Sequence, residues 1–221
     1  MGAELDMMRA FIFDMDGVIV DSNALHRAAW DEYNARLGIP TTEAMQQRMY
    51  GKRNDEIVRD FFGGHLSAEE VFTHGAAKEA LYREMLKPRL EATLVPGLRA
   101  FLERHRSVPM AVGSNAEPAN IEFVLRETGL GPYFRSVVDG HQVQNGKPHP
   151  EIYLLASDLL GVAPEFCLVF EDSSAGVEAG LAAGMRVVGL STTHDELAGV
   201  SLLIKDFNDP ALEPWLTRSA S

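Results

Sequence analysis

The chain has 221 residues, of which 46% are hydrophobic, and its formal net charge is −12 at pH 7. This length and composition fit one large globular domain, or a core that carries a smaller second unit. The acidic balance argues against nucleic acid and anionic membranes as partners, because both are usually met by basic surfaces. A small phosphorylated substrate is still compatible with it, because a metal ion and one or two cations can reverse the field locally.

The single cysteine, Cys167, cannot form an intramolecular disulfide, so the sequence fits a reducing compartment. Its apolar neighbours predict a buried side chain and not a nucleophile. Residues 1–8 contain no basic segment followed by an apolar run, so we expect no signal peptide. No apolar stretch is long enough to cross a bilayer. The sequence predicts a soluble, cytoplasmic protein, and we expect a monomer.

One strand and then a block of helices are predicted in the first part of the chain. The apolar strand covers Ala10–Phe13. The block that follows, to about residue 90, has apolar residues at helical spacing and little strand signal. Glu70 stands three residues after Ser67, which predicts a capping box at the start of the last helix. The three predicted helices are 24–37, 55–62 and 67–86.

From Leu94 onwards, short apolar runs alternate with helices, which predicts a parallel sheet with right-handed crossovers. The predicted fold class is therefore α/β, with a Rossmann-like parallel sheet interrupted after its first strand by a small α-helical cap domain. We predict a core of residues 1–20 and 94–221 and a cap of residues 21–93. The further predicted strands are 109–113, 136–138, 167–170 and 186–190, and the helices are 118–128, 150–160 and 174–183.

Polar side chains follow four of the predicted strands, and ligands of open parallel sheets bind at the carboxyl ends of strands. We therefore expect these side chains to converge on one crevice. Lys147 is separated from its strand by a loop, whereas the others follow directly. The residues are Asp14 and Asp16, Ser114 and Asn115, Lys147, and Glu171 and Asp172.

Four of these side chains are carboxylates, and at close range each would raise the pKa of the others unless cations compensate. A hard divalent ion bound by oxygen ligands is the natural compensation, so Mg²⁺ is the expected cofactor. A bound phosphate would also need Lys147, the Ser114 hydroxyl and backbone N–H groups. The four carboxylates are Asp14, Asp16, Glu171 and Asp172.

Asp14 and Asp16 are two residues apart, so at a strand end they can project to the same side. One can attack phosphorus, while the other protonates the leaving oxygen and later deprotonates the attacking water. Gly17 follows where the backbone must turn tightly.

Each motif taken alone also has a purely structural interpretation. Asp-x-Asp-Gly is more often a turn or a calcium-type loop, and Ser-Asn after a strand is usually a helix cap. Gly-Lys-Pro is commonly a surface turn, and Glu-Asp-Ser before Ser-Ala-Gly is by default a helix N-terminus with acidic partners for its dipole. Caps and turns do not explain why all four occur in this order, each after a strand.

Together the motifs resemble those of the haloacid dehalogenase (HAD) superfamily, in the branch with a small helical cap inserted after the first motif. The motifs are FDMDGVIVDS at 13–22, VGSN at 112–115, GKPHPEIY at 146–153 and FEDSSAGV at 170–177. The resemblance implies that Asp14 is the nucleophile of an aspartyl-phosphate mechanism and that Asp16 is the general acid/base. It also implies that Ser114 and Lys147 bind the phosphate. The implied magnesium ligands are Asp14, the Asp16 carbonyl and Asp172, with Glu171 assisting.

Within the superfamily, the chain is most similar to the β-phosphoglucomutase and sugar-phosphate phosphatase branch. His26 and Trp30 match residues of the mutase cap, and Lys78 lies where the mutase has a substrate-facing lysine. Trp30 taken alone is more typical of core packing, and His26 is as typical of a polar helix face as of a site.

Two departures favour a phosphatase over a mutase. The cap arginine with which the mutase grips a second phosphate, after a Gly-x-x pattern beginning here at Gly51, is replaced by Asn54. The phosphate-loop serine is replaced by Ala116, and Pro118 stands where an amide is expected.

We therefore predict hydrolysis of a small phosphate monoester, a sugar phosphate or a similar metabolite. The alternatives are a β-phosphoglucomutase-like phosphotransferase, in which an alcohol replaces water as acceptor, and a phosphate-sensing protein on the same fold. A sensing protein should have lost a nucleophile or a metal ligand, and this chain retains them. The predicted substrate contacts are His26, Lys52, Arg53, Asn54, Lys78 and Asn115.

Overall fold

The structure, a computed structural model, describes residues 9–49 and 52–219. Six parallel strands form one sheet in the order β3-β2-β1-β4-β5-β6, so the predicted α/β class with a parallel sheet is confirmed. The strands are β1 Ala10–Phe13, β2 Met110–Gly113, β3 Ser136–Val138, β4 Cys167–Glu171, β5 Arg186–Leu190 and β6 Leu202–Ile204.

The central strands are apolar throughout because helices cover both faces of the sheet. Successive side chains of β1 point to opposite faces. Phe11 and Phe13 belong to one hydrophobic core, in which the rings of Phe13 and Phe170 stack with centroids 4.8 Å apart. Ala10 and Ile12 belong to the second core, on the other face.

Helices α1 to α4 lie between β1 and β2 in the chain and enclose a third, smaller core around Trp30. The capping box of Ser67 and Glu70 is present at the start of α4, as predicted. The helices are α1 Asn23–Arg36, α2 Glu43–Gln47, α3 Asn54–Phe62, α4 Ala68–Leu86, α5 Leu90–Thr93, α6 Leu98–Arg104, α7 Pro118–Thr128, α8 Glu151–Leu160, α9 Ser174–Ala182 and α10 Leu212–Ser219.

Two chain segments connect the sheet to helices α1 to α4, and they run side by side. The Asp21 amide donates to the Thr93 carbonyl at 2.7 Å, and the Val95 amide donates to the Ile19 carbonyl at 3.1 Å. Val20 also forms an antiparallel bridge with Leu94. The two crossings are therefore hydrogen-bonded to each other. The assignment of residues 21–93 to a separate cap domain stays a prediction.

Several boundaries differ from those expected. Strand β4 continues through Glu171, because Glu171 still pairs with Gly189 of β5. Pro150 precedes α8 as its N-cap and is not its first residue. Strand β6 and helices α2, α5, α6 and α10 were not predicted, because elements this short span too few residues to show a clear period.

Cys167 is buried, and this burial raises the pKa of its thiol to about 11, which agrees with the predicted structural role. Among residues 9–49 and 52–219, no helix is both long and apolar enough to cross a membrane. The expectations for residues 1–8 and for Gly51 lie outside the described residues. Cytoplasmic location and the monomeric state stay predictions.

Candidate active site

The sheet places the predicted polar residues at one edge. The chain moves outward from β1 to β2 and β3 on one side and occupies β4, β5 and β6 on the other. The carboxyl ends of strands next to such a reversal border a ligand crevice. All seven residues predicted at strand ends line this crevice: Asp14, Asp16, Ser114, Asn115, Lys147, Glu171 and Asp172.

Lys147 is a buried cation that joins two of the carboxylates. Its Nζ donates to Asp14 Oδ1 at 2.8 Å and to Glu171 Oε1 at 2.6 Å. Burial alone would lower the pKa of the lysine, but the two carboxylates outweigh that effect and raise the pKa. Lys147 is therefore held in its charged form beside the Asp14 carboxylate.

One carboxylate oxygen each of Asp14, Glu171 and Asp172 lies within 4.8 Å of the other two. Burial, together with the neighbouring Glu171 and Asp16 charges, raises the pKa of Asp14 to about 7 against the opposing effect of Lys147. Burial and the Glu171 and Asp14 charges raise the pKa of Asp172 well above its ordinary value. Three buried oxygen donors with this excess of negative charge fit a hard divalent cation.

Glu171 is held by the beginning of α9. Its Oε2 accepts from the Asp172 and Ser173 amides, each at 2.9 Å, and from Ser173 Oγ at 3.0 Å. Tyr153 Oη donates to Oε1 at 2.8 Å. A side chain at Gly176 would lie 1.7 Å from that same oxygen, so only glycine leaves the carboxylate its place. Burial raises the Glu171 pKa, but Lys147 and these hydrogen bonds outweigh it and lower the pKa.

Three further residues at Asp172 and Gly17 were missed in the sequence. Asp172 Oδ2 accepts from Asn23 Nδ2 at 3.1 Å and from the Thr193 hydroxyl, and Thr192 Oγ1 donates to the Gly17 carbonyl at 2.6 Å. Thr192 and Thr193 follow the carboxyl end of β5. The expectation that functional polar residues lie at the carboxyl ends of strands therefore applies to them as well. Gly17 has φ of 77°, and a Cβ on it would lie 1.9 Å from Asp172 Oδ2.

Asp14, Glu171 and Asp172 form an acidic cluster, and the carboxylate of Asp16 lies outside it. The hydrogen bonds that the described residues make to it all end on Oδ1: from Ser22 Oγ at 2.5 Å, His26 Nε2 at 3.2 Å and Tyr82 Oη at 3.4 Å. Oδ2 accepts none of these three hydrogen bonds. Burial raises the pKa of Asp16, but the His26 ring and the Ser22 hydroxyl, which both hydrogen-bond to the carboxylate, outweigh it, so the pKa is lowered.

His26 and Lys78 meet at Asp16, although they come from different helices. Lys78 Nζ lies 2.8 Å from His26 Nδ1. An ammonium group can only donate, so Nδ1 is the acceptor and the ring carries its proton on Nε2, facing Asp16. The Tyr82 ring stacks on His26 with centroids 3.7 Å apart and fixes its plane.

The remaining predicted contacts divide into two groups. Asn54 and Lys52 line the crevice, although Lys52 Nζ donates to Asp60 Oδ2 at 2.7 Å. Arg53 instead lies against the Gln144 carbonyl and Asp55, each at 3.4 Å.

Asn115 holds the backbone of the neighbouring loop. Its Oδ1 accepts from the Lys147 amide at 3.1 Å, and its Nδ2 donates to the Lys147 carbonyl at 3.4 Å. These two hydrogen bonds fix the position of the Lys147 backbone, from which its side chain extends.

The fold and the site together define an α/β protein whose carboxylates and buried lysine converge at the ends of parallel strands. The chain belongs to the haloacid dehalogenase-like hydrolase family, which it matches over residues 8–184. The family predicted from the motifs is therefore confirmed.

Individual relatives support the predicted branch. The chain is 32% identical to β-phosphoglucomutase of Bacillus subtilis in an alignment of 214 positions that covers 93% of each protein. It is 36% identical to a phosphorylated carbohydrates phosphatase of Thermotoga maritima over 203 residues, 89% of this chain and 90% of that protein. The crystal structure of a Clostridium difficile β-phosphoglucomutase has a TM-score of 0.86 and 26% identity, with 97% of both chains covered. The protein is an enzyme of the phosphatase and phosphotransferase type.

Proposed function

We propose that the protein hydrolyses phosphate monoesters of small hydroxylated metabolites, such as sugar phosphates, with Mg²⁺ and through an aspartyl-phosphate on Asp14. The observation that carries this proposal is the position of Asp14, whose Oδ1 lies 2.8 Å from the buried Lys147 ammonium and whose carboxylate belongs to the acidic cluster. Phosphoryl transfer depends mainly on positioning and electrostatic stabilisation, and this arrangement supplies both.

In the first step, a carboxylate oxygen of Asp14 attacks phosphorus and the bond to the ester oxygen breaks. Asp16 gives its proton to that oxygen, so the leaving group departs as an alcohol. In the second step, Asp16 takes a proton from water, which attacks phosphorus and releases Asp14 and inorganic phosphate. Lys147 and the Ser114 hydroxyl would bind the phosphoryl oxygens in both steps.

The acidic cluster would hold the metal through Asp14, Glu171 and Asp172, with the Asp16 carbonyl as the further predicted ligand. Bound magnesium would supply positive charge that neutralises these carboxylates and the phosphoryl oxygens. The lowered pKa of Asp16 suits its role as base in the second step. An incoming phosphate dianion adds negative charge nearby, which raises that pKa and favours the acid form needed first.

Two unpartnered polar side chains support a hydroxylated leaving group. Trp30 is fully buried, yet its Nε1 has no hydrogen-bond partner among the described residues, and the same holds for both amide atoms of Asn54. Both residues line the crevice. Buried polar groups are nearly always paired, so a site with a free donor and a free amide is suited to hydroxyl groups of a ligand.

The second candidate is a β-phosphoglucomutase-like phosphotransferase. The Bacillus subtilis relative of that name and the contact of His26 with Lys78 favour it. Hydrolysis is favoured by the charges at residues 52 and 54 of the crevice lining, where Lys52 is paired with Asp60 and Asn54 is neutral. A second phosphate would find little uncompensated positive charge there.

A substrate panel with Mg²⁺ tests the proposal. Phosphorylated metabolites that include β-glucose 1-phosphate are incubated with the enzyme, and inorganic phosphate and glucose 6-phosphate are followed in parallel. We expect phosphate release that disappears without the metal. Glucose 6-phosphate without net phosphate would establish the mutase instead, and the absence of both products across a broad panel would favour a phosphate-sensing protein.

Trp30→Phe tests the hydroxyl contact, because it keeps an aromatic ring in the core but removes the N–H donor. One lost hydrogen bond corresponds to about 1 kcal/mol, so we expect kcat/KM for a sugar phosphate to fall by about 5-fold. Methyl phosphate, which has no hydroxyl groups to bind, should be hydrolysed at the wild-type rate. Trp215→Phe in α10 is the matched control, and equal losses on both substrates would refute the contact.

Metal binding should stabilise the protein more at high pH than at low pH. Since the folded-state pKa of Asp14 is raised to about 7, the metal-free fold binds protons more tightly than the unfolded chain, and its stability falls as pH rises towards 7. Mg²⁺ needs ionised carboxylates, so it must displace protons at low pH.

We expect saturating Mg²⁺ to raise Tm by roughly 5–10 °C near pH 8 and by much less near pH 5, measured by differential scanning calorimetry. Asp172→Asn should lose most of this gain. A gain that is independent of pH would mean that the raised pKa values do not belong to the metal ligands.

A further inference from the structure

Glu79 is a buried carboxylate that sequence reasoning missed, and it joins two helices. Only 5% of the residue is exposed. Its Oε1 accepts from Lys78 Nζ at 2.8 Å, and its Oε2 accepts from Asn120 Nδ2 at 2.7 Å. Asn120 is itself 1% exposed, and its Oδ1 accepts from Arg83 Nη1 at 2.7 Å. Helix α4 is thereby fixed to α7, because the Asn120 side-chain amide bonds to Glu79 through its nitrogen and to Arg83 through its oxygen.

The same carboxylate begins a chain of contacts that ends at the predicted acid/base. Glu79 holds the Lys78 ammonium, Lys78 donates to His26 Nδ1, and His26 Nε2 faces Asp16 Oδ1. Each contact limits the next, because the lysine sets which ring nitrogen carries the proton.

Other functions for Glu79 fit the geometry less well. A surface ion pair would be exposed and weak, whereas Glu79 and Lys78 are both buried and line the crevice. Burial raises the pKa of Glu79, but the Lys78 charge, His26 and the hydrogen bond from Asn120 outweigh it and lower the pKa. The carboxylate is therefore charged, and both of its oxygens are occupied by protein donors.

We propose that Glu79 is a positioning residue for Asp16: by fixing Lys78 while bonded to Asn120 of α7, it couples the docking of α4 on α7 to the orientation of the acid/base. This inference rests on the proposed function. Helix α7 begins at Pro118, four residues after Ser114. The coupling therefore connects Asp16, which would protonate the leaving group, to the segment that would bind the phosphate through Ser114.

The dependence of kcat/KM on the leaving group distinguishes this positioning role from a purely structural one. An alkyl phosphate must have its ester oxygen protonated as the bond breaks, whereas p-nitrophenolate is stable enough to leave as an anion. The parameter kcat/KM covers only the steps up to release of the alcohol, so the later activation of water does not enter. A misplaced Asp16 should therefore lower kcat/KM for alkyl phosphates only.

We expect Glu79→Gln, with the Mg²⁺-loaded enzyme, to lower kcat/KM by on the order of 10-fold for an alkyl phosphate and by less than about 2-fold for p-nitrophenyl phosphate. Glu79→Asp keeps the charge and should recover part of the loss. Asn120→Ala leaves Lys78 and Glu79 in place but releases α7, and it should give a smaller loss with the same selectivity.

Glu84→Gln is the matched control, because Glu84 is exposed on the same helix and should have no effect on either ester. Equal losses on both esters, or no loss on either, would overturn the positioning role. If Glu79→Gln unfolds, as shown by its Tm, the Asn120→Ala result decides in the same way. A wild-type enzyme that hydrolyses neither ester would refute the proposed function itself, which is a different outcome.

Discussion

Asp14→Asn should reduce phosphate release by about 10⁴-fold or more. The amide has nearly the shape of the carboxylate, and its oxygen can still accept the hydrogen bond from Lys147. It cannot act as the nucleophile, so no aspartyl-phosphate forms. Phosphate release from the preferred ester, followed with Mg²⁺ present, measures the effect.

The same variant should be as stable as the wild-type protein, or more stable, near pH 8 without metal. There the wild-type protein carries an ionised Asp14 whose pKa is raised to about 7 by burial, and the amide removes that unfavourable charge. Calorimetry of both proteins checks this expectation. A variant that keeps a tenth of the activity would show that another group attacks phosphorus, and a large loss of Tm would mean that the activity loss reports unfolding.

Lys147→Met should abolish activity and also destabilise the fold. The substitution keeps the length of the side chain but removes the charge that lies 2.8 Å from Asp14 and 2.6 Å from Glu171. Breaking a buried pair from one side costs about 3–5 kcal/mol, because the partner charge is left uncompensated. For a chain of this size we expect Tm to fall by roughly 10 °C.

A double variant distinguishes the two effects. Lys147→Met combined with Glu171→Gln removes one of the stranded carboxylates, so part of the lost stability should return while activity stays absent. If the double variant is less stable than Lys147→Met alone, the hydrogen bonds that Glu171 accepts from the start of α9 stabilise the fold by more than its uncompensated charge destabilises it. A single Lys147→Met variant with wild-type Tm would show that the buried charges are compensated elsewhere.

The site was predictable from the sequence wherever it follows the geometry of the sheet. Asp14 and Asp172 come from neighbouring strands, and the register that pairs Phe13 with Phe170 brings their ends together. Because the carboxyl ends of parallel strands meet at one edge, the apolar runs alone indicated which polar residues would meet. The capping box at Ser67 was predictable for a similar reason, since it depends only on residues three apart.

Residues whose role depends on packing between distant segments could not be predicted in this way. Glu79, in the middle of a helix, has the pattern of a solvated face, yet it is buried and bonded to Asn120 of α7. Asn23 meets Asp172 across 149 positions of the chain. The orphan atoms of Trp30 and Asn54 are likewise a property of the packed structure, because a sequence does not show which hydrogen bonds remain unmade.

The paired crossings between the sheet and helices α1 to α4 limit how these helices can move. Because Asp21 bonds to Thr93 and Val95 to Ile19, the two connections form a short ladder and not two independent tethers. A ladder bends more readily across its plane than it twists or shears, since the latter motions break its hydrogen bonds. Any swing of the helices relative to the sheet that leaves these hydrogen bonds intact would thus pivot about one axis at this ladder.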